Sequence, residues 1–525
     1  MESGQRRHRI IRSILEYLNF ERPEPPPELP PRATGFLSIK VVWFLLGLGL
    51  AAWILLSEGL GDMPPQARAM LAVTVPMALW WITEAMPISI TALVPLVALP
   101  WLGISSARET AAPYADPNVF LFIGGFVLAS CVQRWGLHKR LALWILLSLG
   151  GSPRRLVLGC MGVTALLSMW ASNTATVLMM FPIALALIDR GGSDSEEAKH
   201  SFTLCLLLGI AYGGSMGGVA TLIGTPPNIV FASMVRRLDV GLGEVTFLKW
   251  MLVGVPVSLA MLTLIYFLLT RVLFRFEESA FVTDTAQLEQ DLADLGPLSR
   301  GEAYIAVIFS ITALLWITRA DIELGGFVIP GWSDLFTHGK AIHDGTVAIA
   351  MAILLFVIPV DRREGVFLMD RDWYKAVPWD IVMLFGGGFA LAQGFGSSGL
   401  SAYLGEQMSF LATLPALGMM IAVALFMTFI TELTSNTATT TVMLPILAAT
   451  AMATGTSAEL LMLPATFAAS AAFMLPVATP PNAIIFASGR ISIPEMARAG
   501  LLLNIVSAPV IALLCWLLGP LVFGV

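Results

Sequence analysis

Two apolar stretches, residues 154–189 and 416–451, limit this chain more than any other feature, because each is too long to cross a bilayer once. As single helices of about 36 residues they would reach about 54 Å, against a hydrocarbon core of about 30 Å. Each also carries a polar triplet near its middle, Ser172-Asn173-Thr174 in one and Ser435-Asn436-Thr437 in the other. A helical hairpin that dips in and returns accommodates both facts. Its polar tip then sits at depth, where non-helical backbone is tolerated only if protein or water lines it. Two more stretches, 200–235 and 456–489, contain Gly224-Thr225-Pro226-Pro227-Asn228 and Ala478-Thr479-Pro480-Pro481-Asn482. Consecutive prolines remove two backbone donors and bias the preceding residue away from helix. These stretches are expected to be broken helices with unwound centres.

The paired motifs form an internal repeat. Gly125-Phe126 matches Gly388-Phe389, Ser172 matches Ser435 and Pro182 matches Pro445, all at an offset of 263 residues. Thr225 matches Thr479 and Asn228 matches Asn482 at an offset of 254, and a longer loop around Gly191–Lys199 absorbs the slip. The chain as a whole is strongly apolar, with 57% hydrophobic and 13% charged residues. Soluble domains carry about 25% charged residues, so a soluble enzyme, a disordered chain and a basic nucleic-acid binder are excluded. Long apolar runs in place of alternating segments exclude an outer-membrane barrel.

The expected fold is therefore an all-α polytopic membrane protein, with two repeats of five spans and one re-entrant hairpin each. Residues 1–37 read as a cytoplasmic tail, with Arg6, Arg7, Arg9 and Arg12 before a proline-rich stretch and no cleavable signal peptide. Residues 38–63 hold a first transmembrane helix, 64–275 the first repeat, 276–301 an acidic cytoplasmic linker and 302–525 the second repeat. An odd number of spans inverts one repeat relative to the other, an arrangement associated with secondary transporters whose sites lie at the repeat interface. With the N-terminus inside and the C-terminus outside, only Arg68, Arg108, Arg236, Arg237, Lys249, Arg319 and Lys340 among the basic residues face outward. That bias obeys the positive-inside rule of a cytoplasmic membrane.

A hairpin tip offers an anion free backbone N–H donors at a positive helix end, and Ser, Asn and Thr side chains add neutral donors. Two such tips suit a ligand with two anionic ends, such as a dicarboxylate. Unwound carbonyls, hydroxyls and an Asn carbonyl are also hard oxygen ligands for Na+. They avoid an ionised carboxylate, which is costly in a membrane. Asn173 with Gly224 and Asn436 with Ala478 would each serve one ion. The two tips themselves carry no charged residue, and the substrate site is expected to be uncharged.

The doubled Ser-Asn-Thr motif, the Thr-Pro-Pro-Asn pair at 225–228 and 479–482, and Trp81-Ile82-Thr83-Glu84-Ala85-Met86-Pro87 resemble the divalent-anion/sodium symporter family over residues 38–525. The resemblance implies a homodimer of about eleven transmembrane helices plus two hairpins, working as an elevator that imports succinate, malate or fumarate with Na+ and no organic cofactor. By the same resemblance Ser172, Asn173, Thr174, Ser435, Asn436 and Thr437 contact carboxylates, and Thr225, Pro226, Thr479 and Pro480 line the floor. Ser168, Ser172, Asn173 and Gly224 form a first sodium site. Thr431, Ser435, Asn436 and Ala478 form a second.

Other readings carry distinct signatures. A dicarboxylate exchanger would be expected to place fixed positive charge at the sodium positions, and no Lys or Arg stands near either motif. Sulfate or citrate remains an alternative cargo. An intramembrane enzyme would need an acid, a base or a metal cluster at depth. Glu84 reads as a cap or anchor at a short turn, His343-Asp344 as a helix cap, and Gly386-Gly387-Gly388 as close helix packing. The cysteines Cys131, Cys160, Cys205 and Cys515 read as small packing residues.

Overall fold

The computed structural model describes residues 39–57, 63–149, 152–190, 192–193, 195–274, 276, 281–282, 286–324, 327–407 and 414–524. The expected cytoplasmic tail lies outside the described residues, as do parts of the linker and of the loop around Gly191–Lys199. Helices dominate. Among the described residues, eight helical stretches are long and apolar enough to cross a membrane, and shorter apolar helices accompany them.

The first half contains α1 (Ile39–Leu56), α2 (Pro65–Thr83), α3 (Pro117–Arg134), α4 (Leu137–Leu149), α5 (Pro153–Ser168), α6 (Asn173–Arg190), α7 (Glu196–Gly218), α8 (Pro226–Leu238) and α9 (Phe247–Phe267). The second contains α10 (Arg300–Ile317), α11 (Asp344–Val357), α12 (Trp379–Ser398), α13 (Leu400–Gln407), α14 (Ala416–Thr431), α15 (Asn436–Thr454), α16 (Glu459–Ala469), α17 (Pro480–Phe486) and α18 (Ile493–Phe523). Each of the two overlong apolar runs is thus broken at its polar triplet, into α5–α6 and α14–α15. Each Pro-Pro run is broken too, into α7–α8 and α16–α17. The run at 88–103 is not one span: Pro95 and Pro100 accompany two short helices, Ile88–Thr91 and Val94–Trp101.

Local chemistry sets the helix starts. Ser299 with Glu302 and Ser492 with Glu495 form capping boxes that open α10 and α18, pairing backbone donors that no intrahelical carbonyl reaches. His343 caps α11, and the Asp344 carboxylate beside it serves the start of α9. His343 Nδ1 accepts from Gly345 N at 3.0 Å, while the Asp344 carboxylate accepts from Phe247 N at 2.8 Å and from Arg319 Nε at 2.5 Å. Arg319 reaches Glu244 at 2.6 Å as well, and buried Asp116 pairs with both Arg236 and Arg237. Three of the basic residues assigned to the outer face are therefore held by carboxylates. Removing one partner of a buried pair costs about 3–5 kcal/mol.

Glycines permit the closest approaches. A Cβ on Gly387 would lie 2.3 Å from the Ala92 carbonyl oxygen, and one on Gly124 would lie 2.7 Å from the Ala348 backbone. The glycine run in α12 is packing, as its sequence suggests. The four cysteines are buried and free. Among the described residues, three two-stranded ribbons stand in the connections, pairing Gly192–Ser193 with Phe281–Val282, Ile322–Leu324 with Phe327–Ile329 and Pro359–Asp361 with Val366–Phe367.

Candidate functional site: two tips on one cavity

Ser172 and Ser435 end the breaks in the two long runs. Their hydroxyls accept from Ala175 N at 3.2 Å and Ala438 N at 3.4 Å, and so cap α6 and α15. The residues that follow, Asn173-Thr174 and Asn436-Thr437, are the first of each helix, where backbone N–H groups have no intrahelical acceptor. The Pro-Pro breaks are held by a matched pair of amides. Asn228 Nδ2 donates to Gly218 O at 3.1 Å and Thr221 O at 2.6 Å, and Asn482 Nδ2 donates to Ala472 O at 3.3 Å and Leu475 O at 3.1 Å. These partners keep the 254-residue offset bond for bond.

All four breaks meet at a cavity of about 600 Å³. Ser172, Asn173, Thr174, Gly224, Thr225 and Pro226 line it from one half, and Ser435, Asn436, Thr437, Ala478, Thr479 and Pro480 from the other. Ser168 and Thr431 are fully buried at the ends of α5 and α14, behind the tips. No basic residue lines the cavity among the described residues.

The first tip gathers oxygens. The Asn173 side-chain atom placed as oxygen faces Ser168 Oγ at 2.5 Å, Gly224 O at 3.2 Å and Gly214 O at 3.3 Å. Turned the other way, the amide nitrogen would donate to all three. With the oxygen inward, the Asn173 oxygen, Ser168 Oγ and the two carbonyls form an oxygen-rich cluster of the kind that suits a cation. The second tip differs. Thr431 Oγ1 donates to Met427 O at 2.8 Å, and Asn436 Oδ1 is buried without a partner.

Glu432 supports the second tip. Its carboxylate accepts from Phe473 N at 2.7 Å, Met474 N at 2.9 Å and Leu475 N at 3.0 Å, and from Asn504 Nδ2 at 2.7 Å. It thereby holds the unwound segment between α16 and α17. The matched position in the first half is Met169, whose carbonyl accepts from Thr221 Oγ1.

The expectation of an uncharged site needs correction. Glu84 and Asp380 both line the cavity. Glu84 sits there because it closes α2 in a left-handed conformation, with φ 48°, and Asp380 because it stands in the first turn of α12. Their carboxyl groups oppose an anion and favour a cation. Sequence reading placed Glu84 at a flanking turn and passed over Asp380. It also missed the Gly214 carbonyl, since a backbone oxygen has no residue signature.

Gly218 is a tight point of the first tip. A Cβ there would lie 2.6 Å from the Asn173 side-chain oxygen and 2.9 Å from Gly224 O. Overpacking of this kind costs about 1–3 kcal/mol. Gly218→Ala is expected to raise the Na+ concentration for half-maximal uptake roughly ten-fold, whereas Gly162→Ala, with open space around its Cβ, leaves it unchanged. Uptake measured against Na+ concentration checks this.

Helices of membrane-spanning length surround a cavity built from paired helix breaks, the architecture associated with secondary transporters. Residues 41–525 match the family described as the sodium:sulfate symporter transmembrane region, and the chain belongs to that family. It is 39% identical over 493 residues to a sodium-dependent dicarboxylate transporter, SdcS, of Staphylococcus saprophyticus, covering 93% of this chain and 92% of the relative. The namesake in Staphylococcus aureus strain MRSA252 is 40% identical over 502 residues, covering 94% and 93%. Two solved transporters share the fold at 14% identity. YdaH of Alcanivorax borkumensis has a TM-score of 0.54, covering 90% of this chain and 97% of its own. MtrF of Neisseria gonorrhoeae has 0.53, covering 91% and 94%.

Proposed function

We propose that this chain is a secondary transporter that imports C4-dicarboxylates such as succinate, malate and fumarate together with Na+. The observation that carries this reading is the pairing, at each tip, of free helix N-terminal donors with an Asn side chain set for an ion: the Asn173 amide among Ser168 Oγ, Gly214 O and Gly224 O, and Asn436 Oδ1 buried without a partner. The donors suit carboxylates and the oxygens suit Na+. Two tips on one cavity match a dianion with a carboxylate at each end, and the sodium-dependent dicarboxylate transporters named above support the same assignment.

Ser172, Asn173, Thr174, Ser435, Asn436 and Thr437 hold the carboxylates, with Thr225, Pro226, Thr479 and Pro480 beneath them. One Na+ binds at Ser168, Ser172, Asn173 and Gly224, joined by the Gly214 carbonyl, and one at Thr431, Ser435, Asn436 and Ala478. Coupling follows from charge. With no basic residue and two carboxyl side chains lining the cavity, bound Na+ supplies the positive potential that a dianion requires. The anion binds only after the cation positions fill.

Transport proceeds by an elevator movement of the tip-bearing elements in a homodimer, with the N-terminus cytoplasmic and the C-terminus outside. Two apolar cavities support a sliding seam. One of about 260 Å³ separates the first hairpin from α10, and one of about 210 Å³ separates the second from α2. Leu167, Ala171, Ala175, Thr176 and Met179 line the first, and Ile430, Thr434, Ala438, Thr439 and Val442 line the second at the same 263-residue offset.

Proteoliposomes with an inward Na+ gradient are expected to accumulate succinate, and those with Li+ or choline are not. Succinate uptake equal in all three would overturn the assignment of Na+ coupling. Sulfate or citrate accumulated in preference to succinate would overturn the assignment of cargo.

A further inference from the structure

Beside the second tip, where α16 ends, a hydroxyl is buried without a partner. Ser470 is 2% exposed, lines the polar cavity, and its Oγ has no hydrogen-bond partner. Leaving a buried hydroxyl unpaired is costly, so an isolated one facing a binding cavity points to a ligand. Asn436 lines the same cavity, and its Oδ1 is buried and unpaired too. A carboxamide oxygen only accepts, so an anion does not satisfy it, whereas a cation satisfies both atoms.

The helix geometry explains why the two halves differ. At the 254-residue offset, the end of α7 at Gly218 corresponds to Ala472, yet α16 stops at Ala469. Glu432 captures the N–H groups of Phe473, Met474 and Leu475, which ends the helix early and leaves Ser470 as its cap. Met216 occupies the matched position in the first half. It lies inside α7 and offers only a carbonyl, which accepts from Ser258 Oγ at 2.7 Å. Ser470 thus stands at the C-terminal end of α16, where the helix dipole favours positive charge.

We propose that Ser470 Oγ is a sodium ligand at the second tip, acting together with Asn436 Oδ1. The proposal rests on the reading above that the second tip binds Na+.

The test compares Ser470→Ala, Ser470→Thr and Asn436→Ala in the purified full-length protein. It reads the rise in melting temperature with NaCl over choline chloride, without succinate, and the Na+ dependence of succinate uptake in proteoliposomes. Ser470→Ala is expected to raise the half-saturating Na+ concentration roughly five- to fifty-fold. It should shrink the Na+-induced thermal shift and leave the apparent succinate affinity at saturating Na+ unchanged. Ser470→Thr, which keeps the hydroxyl, should restore much of the Na+ response. Removing an unpaired buried hydroxyl does not itself unfold a protein, and an inert group would leave every Na+ response intact. A wild-type Na+ response in Ser470→Ala, with loss in Asn436→Ala, would overturn the role of Ser470 alone. A wild-type response in both would overturn the cation site at the second tip. A change confined to succinate affinity at saturating Na+ would assign the hydroxyl to the anion and likewise overturn the proposal.

Discussion

Asn173→Ala and Asn436→Ala, each alone, are expected to abolish Na+-dependent succinate uptake while the protein still inserts and elutes as an intact species. At the first tip the alanine removes the atom that faces Ser168 Oγ, Gly214 O and Gly224 O. The remaining oxygens then lack the ligand that closes their cluster. At the second tip it removes an acceptor that is already unpaired, so the empty protein loses little stability and the effect falls on ion binding. Asn173→Asp gives a different result. It keeps an inward oxygen and adds negative charge, so Na+-induced thermal stabilisation should survive while succinate binding is lost to repulsion. Uptake assays with paired melting curves separate these outcomes. Full uptake in both alanine variants would contradict the site.

Glu432→Ala is the second large effect. The carboxylate accepts from three consecutive backbone N–H groups and from Asn504, and it is 3% exposed. Each buried donor left unpaired costs about 1–3 kcal/mol, and four donors lose their acceptor together. The segment between α16 and α17 would rearrange, taking Ala478, Thr479 and Pro480 with it. Uptake should fall to background and the melting temperature should drop by several degrees. Glu432→Gln keeps the shape and one acceptor oxygen and should lie between alanine and wild type. An unchanged melting temperature in Glu432→Ala would contradict its anchoring role.

The four helix breaks were legible in the sequence because each is written in side chains. Ser172 and Ser435 stand as caps ahead of helices, and adjacent prolines at 226–227 and 480–481 open α8 and α17. The repeat was legible for the same reason, and the structure repeats its hydrogen bonds at Asn228 and Asn482. Features made by backbone or by tertiary approach were not. Gly214 contributes a carbonyl that any residue could supply. Glu84 reaches the cavity through a left-handed turn, and Asp380 through the placement of α12 beside the tips, neither of which local pattern encodes. The early end of α16 depends on Glu432, about forty residues upstream along the chain, so no local pattern marks Ser470 as a helix end.

The central claim is that cations build the anion site, and calorimetric titration of succinate into the purified full-length protein tests it most directly. With saturating NaCl the account predicts saturable succinate binding. With choline chloride at equal ionic strength it predicts none that is measurable. Equal succinate affinity in the two salts would show that the tips hold the dianion unaided, and would contradict the account.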